Sequence, residues 1–120
     1  MDRAPGSFEK VESEGRLTIR FLGEFDMASE QRFDQVLTGV LSNGRAEVAF
    51  DLRPLEFIDS SGIRAIIRAK QRADLAGIQL HLYAPIHQEP KRTFELVGLE
   101  ATIPWTEPPD EVESRLRGPL

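Results

Sequence analysis

The residues of this chain best suited to chemistry stand together at Asp59-Ser60-Ser61-Gly62, two hydroxyls beside a carboxylate and a glycine. A serine in such a place can be a nucleophile, a phosphate acceptor or a cap for the free N–H groups of a helix start. Asp59, Ser60 and Ser61 are all of cap type, and Gly62 is small enough to allow close packing. A nucleophile would need a positioned base and an oxyanion hole. The G-x-S-x-G elbow is absent, and the only histidines are His81, expected on the exposed side of a strand, and His87, expected in a loop. Hydrolysis is thus poorly supported. With no cysteine and two histidines, thiolate catalysis and cysteine-ligated zinc are excluded, a multi-histidine metal site is disfavoured, and no cofactor is expected.

The elements that must hold this run can be read from periodicity. Residues 7–12 and 16–22 read as two strands around a turn at Glu14-Gly15; in the second, Leu17, Ile19 and Phe21 alternate with polar residues. Gly23-Glu24-Phe25-Asp26 breaks the alternation, and Asp26 is placed to cap the next element. Over 28–42, Phe33, Val36, Leu37, Val40 and Leu41 form one apolar stripe of a helix, which Asn43-Gly44 closes. Residues 47–52 are nearly all apolar, as in a strand covered on both faces, and Pro54 ends it.

Residues 60–76 read as a second amphipathic helix, with Ile63, Ile66, Ile67 and Ala73 inward and Gly77 as its stop. Ile78, Leu80 and Leu82 mark another strand. Pro90 suits the first turn of a third helix carrying Phe94 and Val97, before Gly98. Thr102-Ile103-Pro104 is at most a short edge strand, and the tail at 108–117 can form one more short helix. The order ββαβαβα(β)(α) predicts an α/β (α+β) single domain, a mixed sheet of four to five strands with helices packed on it.

The wider pattern around the serines resembles the STAS domain of anti-sigma factor antagonists. Its elements are Asp51-Leu52, the apolar pair Phe57-Ile58 and Asp59-Ser60-Ser61-Gly62-Ile63; a Gly-Glu-Leu-Asp-like stretch at Gly23-Glu24-Phe25-Asp26; and Phe94, Leu96 and Gly98-Leu99 near the end. The resemblance spans residues 7–104, leaving 105–120 as a tail. It implies that Ser60 is phosphorylated, that Asp59 shapes the loop and helps position the hydroxyl, and that Ser61 caps the helix. It also implies the partners: an anti-sigma factor with serine kinase activity, bound while Ser60 is unmodified so that a sigma factor is freed, and a serine phosphatase that resets the switch. The expected partner surface comprises Asp26, Asp59, Ser60, Ser61, Gly62, Arg64 and Arg68. Arg64 departs from the small or apolar residue usual at its position. Arg64, Arg68 and Arg72, at i, i+4 and i+8, form either a solvated helix face or the edge of that surface. The alternative function is that of a STAS subunit of a membrane lipid transporter that never carries phosphate.

Size and charge agree with a small switch. The chain has 120 residues, enough for one core. Its formal net charge of -5 disfavours nucleic acid as a partner. Nothing in it reads as a secretory signal or as a span of roughly 18 apolar residues, so a cytoplasmic protein without membrane insertion is expected.

Overall fold

A computed structural model describes residues 6–13, 16–98, 103–109 and 116–119. The elements run β1 (Ser7–Ser13), β2 (Arg16–Phe25), α1 (Met27–Leu41), β3 (Glu47–Asp51), β4 (Leu55–Ile58), α2 (Ser60–Leu75), β5 (Gln79–Tyr83), α3 (Gln88–Leu96) and β6 (Leu116–Pro119). Five strands form a mixed sheet in the order β5-β3-β2-β1-β6, and β4 pairs with β2 off this path. β1 is antiparallel to β2, whereas β3 and β4 run parallel to β2, and β5 runs parallel to β3. The turn expected at Glu14-Gly15 lies outside the described residues.

β2 is the spine of the molecule. Its inward residues Leu17, Ile19, Phe21, Gly23 and Phe25 are all buried. The strand outlasts the sequence expectation by three residues because a bulge carries it past Gly23. The register shifts between Gly23 and Glu24, and Gly23 adopts φ 73°, a conformation that glycine takes without steric cost. Beyond the bulge, β2 hands its pairing from β3, matched at Leu17–Arg20, to β4, matched at Gly23–Phe25. β4 falls in a stretch to which the sequence reading assigned no strand. Four residues bounded by Pro54 and Asp59 are too short for a periodic signal.

An aromatic cluster fills the space between β1, β2, β3 and α1. Phe8, Phe21, Phe25, Phe33 and Phe50 pack with ring centroids from 5.1 Å (Phe25–Phe33) to 5.9 Å (Phe8–Phe25). Such tilted and edge-on pairs add specificity to the burial of large rings. α1 lies beside α2, α2 also contacts β4 and β5, and α3 packs on β4.

Three expectations about the C-terminal part need correction. Val97 is not part of the buried face of α3; it is 40% exposed, and the helix buries Pro90 and Phe94, whose ring meets Trp105 edge-on. The edge strand expected at 102–104 is instead a single parallel bridge between Trp105 and Leu82, with the Thr106 N–H donating to the Leu82 carbonyl at 2.8 Å. Pro104 has no N–H to offer a ladder; Thr102 lies outside the described residues. The helix expected over 108–117 does not extend to its end, since Leu116–Pro119 pairs antiparallel with β1. The open edge of β1 offers a row of backbone partners that outweighs weak local helical preference. Residues 110–115 of that expected helix lie outside the described residues.

Candidate functional site

At the start of α2 the three polar residues take three different roles. Asp59 has the extended backbone of an N-cap, and its Oδ1 accepts from the Gly62 N–H at 2.9 Å. The same oxygen accepts from the Ser61 hydroxyl at 2.7 Å, and Ser61 is 7% exposed. Ser61 therefore does not cap the helix, contrary to what the resemblance implied. A carboxylate already occupies the cap, and the hydroxyl two residues on braces it. Nor does Asp59 hold the Ser60 hydroxyl; its side-chain hydrogen bonds among the described residues go to Gly62 and Ser61. Ser60, the first residue of the helix, is exposed, and its hydroxyl makes no hydrogen bond among the described residues.

Gly62 sets how closely this helix start approaches the sheet. A Cβ there would sit 2.6 Å from the Phe25 carbonyl oxygen and 2.8 Å from Cγ1 of Ile58. The Phe25 carbonyl also accepts from the Asp59 N–H at 3.3 Å. These contacts and the Phe25–Ile58 register join the end of β2 to the end of β4. The Gly23–Asp26 segment and the 57–62 segment consequently lie at one end of the sheet. Asp26 takes the N-cap position of α1 with extended backbone, yet its side chain makes no cap bond; Oδ1 accepts instead from the Ser29 hydroxyl at 3.3 Å.

Two apolar side chains missed by the sequence reading are exposed at this same end. Met27, the first residue of α1, is 73% exposed, and Ile86, in the loop after β5, is 64% exposed. The Ile86 N–H donates to the Arg53 carbonyl at 3.5 Å, tying that loop to the turn after β3. For Met27 the signal was available: it falls off the stripe that Phe33, Leu37 and Val40 define.

The arginines of α2 are unequal. Arg64, Arg68 and Arg72 are all exposed. Arg68 bridges to α1 through Nη2, 2.6 Å from Glu30 Oε1. Arg64 makes no hydrogen bond or ion pair among the described residues.

The Asp51-Leu52 pair holds the frame. Asp51 is 3% exposed and receives Arg53 bidentately, Nε to Oδ1 and Nη2 to Oδ2, each at 2.9 Å, with the Arg53 N–H at 3.0 Å. Fork-on-fork pairing compensates the cost of burying the carboxylate. Arg53 also lies over the Tyr83 ring at 5.5 Å, and burial pushes the Tyr83 phenol up from its usual pKa. Leu52 is wholly buried and its N–H donates to the Tyr83 carbonyl. The turn that aims β4 at the serines is thus rigidly built. His81 is committed elsewhere: its Nε2 lies 2.8 Å from Glu47, at the opposite end of β3, and that bond draws the Glu47 carboxyl below its usual pKa. Among the described residues no three metal-ligating side chains gather, and no helix is long and apolar enough to cross a membrane.

Comparison with known proteins yields one family and a consistent set of folds. The STAS domain family model matches residues 7–113. Among curated proteins no relative matches. An anti-sigma factor antagonist from Mycobacterium paratuberculosis is similar in structure, with TM-score 0.69 and 20% identity over 88% of this chain and 89% of that one. The anti-sigma factor antagonist SpoIIAA in its unphosphorylated form gives 0.65 and 17% over 84% and 89%. The Bacillus protein SpoIIAA in its phosphorylated form gives 0.60 and 17% over 84% and 92%. A sulfate transporter family protein from Wolinella succinogenes gives 0.59 and 22% over 77% and 75%.

Proposed function

The chain belongs to the STAS domain family, and from that premise we propose that it is an anti-sigma factor antagonist switched by phosphorylation of Ser60. The observation that carries this reading is the contrast between the two serines. Ser60 is exposed and its hydroxyl makes no hydrogen bond among the described residues, while Ser61 is buried and spent on Asp59. A kinase can reach the first without unfolding anything; the second would require opening the helix start. Unmodified, the chain binds an anti-sigma factor with serine kinase activity and so frees a sigma factor; a serine phosphatase returns it to that state.

The proposed partner surface is the end of the sheet where Asp26, Asp59, Ser60, Ser61 and Gly62 meet, continued along α2 by Arg64 and Arg68. Met27 and Ile86 extend it, supplying apolar contact beside the polar centre, the composition that interface cores favour. A phosphate brings about -1.5 to -2 charges. In the middle of a surface that a partner must desolvate, that charge is strongly unfavourable. At the free helix start the same charge is tolerated by N–H groups and the helix dipole.

The test is phosphosite mapping on the protein recovered from its own cells with its bound partners, and kinase labelling of Ser60→Ala. The expected result is a single phosphate on Ser60, loss of labelling in Ser60→Ala and retained partner binding. Normal labelling of Ser60→Ala would remove the assignment. Recovery of the unphosphorylated chain with a transporter permease would instead make it a transporter subunit; the likeness to a sulfate transporter family protein is one of fold and does not separate the two.

A further inference from the structure

Arg64 is the exposed cation one helical turn beyond Ser60. Residues at i and i+4 share a helix face, and a helical side chain leans back toward the N-terminus. A long guanidinium at 64 therefore reaches over position 60, in the acid-before-base order that helices favour. Arg68 is committed to Glu30 at 2.6 Å and Lys70 to Asp74 at 2.7 Å, while Arg72, which like Arg64 has no side-chain bond among the described residues, lies two turns further from Ser60. Arg64 has no hydrogen bond or ion pair among the described residues. The nearest carboxylate in sequence, Asp59, is turned inward onto Gly62 and Ser61. The basic group thus lies one turn from the Ser60 hydroxyl, on the same helix face, with no partner among the described residues.

We propose that Arg64 is the intramolecular counter-ion of a phosphate on Ser60, closing a fork-like pair with it across one turn of α2. This rests on the reading of Ser60 as the acceptor and adds to it a second element of the switch. Guanidinium geometry matches two phosphate oxygens at once. In the unmodified chain Arg64 is available to an acidic group of the partner. Once the phosphate is present, Arg64 turns to it, so modification both adds charge and withdraws a contact. The charges flanking the phosphate would be Asp59 and Asp26, which disfavour its dianion, and Arg64, which favours it.

The experiment uses the full chain with phosphoserine incorporated at position 60 during synthesis, so no kinase is needed. Phosphorus NMR follows the second ionisation of that phosphate with pH. The expected result is an apparent pKa that rises by roughly half a unit to one unit in Arg64→Gln, the size of one close charge-assisted pair. Arg64→Lys should recover part of the shift, and Arg72→Gln, two turns further along, should leave the titration unchanged. Coincident titrations for the native chain and Arg64→Gln would overturn the proposal, as would an equal shift from Arg72→Gln, which would indicate only the general field of the helix. Failure here leaves the kinase assignment of Ser60 standing. Failure of kinase labelling leaves this pairing measurable.

Discussion

At the scale of single residues, the site divides its labour by hydrogen bonding. One carboxylate oxygen of Asp59 serves both the Gly62 N–H and the Ser61 hydroxyl, and neither bond involves the exposed Ser60. An amide can accept the same two bonds, and Asn caps as well as Asp. Asp59→Asn is therefore expected to change stability by less than about 1 kcal/mol, on the near-equal ranking of these caps. Asp59→Ala removes the cap and strands a buried hydroxyl, so a loss of about 2–4 kcal/mol is expected from the two effects together. Denaturant unfolding of both variants checks this. Equal losses would mean that the charge, rather than the acceptor geometry, holds the turn.

At the scale of elements, the bulge in β2, the short β4 and the start of α2 form one unit, joined at the Phe25 carbonyl. Gly62 is where that unit has no room, since a Cβ would meet the backbone oxygen of Phe25 and the side chain of Ile58. Gly62→Ala is expected to destabilise the fold by about 1–3 kcal/mol, the usual cost of overpacking, and to weaken partner binding by misplacing Ser60. A thermal melt checks the first effect and titration with the partner the second. A melt equal to that of the native chain would show that α2 can retreat from the sheet without strain. Along α2, Arg64 is also the cleaner probe of the partner surface. Charge reversal at Arg68 would set an acid against Glu30, its bonding partner on α1, and disturb how the two helices meet.

At the scale of the whole molecule, the question is whether phosphorylation acts on the fold or on the surface. The aromatic cluster around Phe21 and the Asp51–Arg53–Tyr83 frame are formed without Ser60. A phosphate on Ser60 would meet free N–H groups worth about 0.3–1 kcal/mol at an exposed helix start, which would roughly offset repulsion from Asp59. Phosphorylation should accordingly change stability by no more than about 1 kcal/mol on that estimate, while partner affinity falls by orders of magnitude. Calorimetric melts of the two forms, beside a partner titration, check both halves. A large drop in melting temperature would mean that the switch disorders the loop.

Much of this was legible in the sequence, for local reasons. The alternation of Leu17, Ile19 and Phe21 could only suit a half-buried strand, and the stripe of Phe33, Leu37 and Val40 only a helix on a core. Asp59-Ser60-Ser61-Gly62 marked a helix start, and with Asp51-Leu52 and Gly23–Asp26 it identified the family. What the chain alone left open depended on partners distant in sequence. β4 exists because the end of β2 offers it a ladder beyond the bulge at Gly23, and β6 because β1 has an open edge; neither has enough residues to announce itself. The exposure of Ser60 and Ser61 was likewise open: both are cap-type residues with similar preferences, and the resemblance divided their roles without saying which is buried. Only the tertiary structure decided which of the two is buried: where Gly62 packs on the Phe25 carbonyl, Ser61 lies inside and Ser60 faces water.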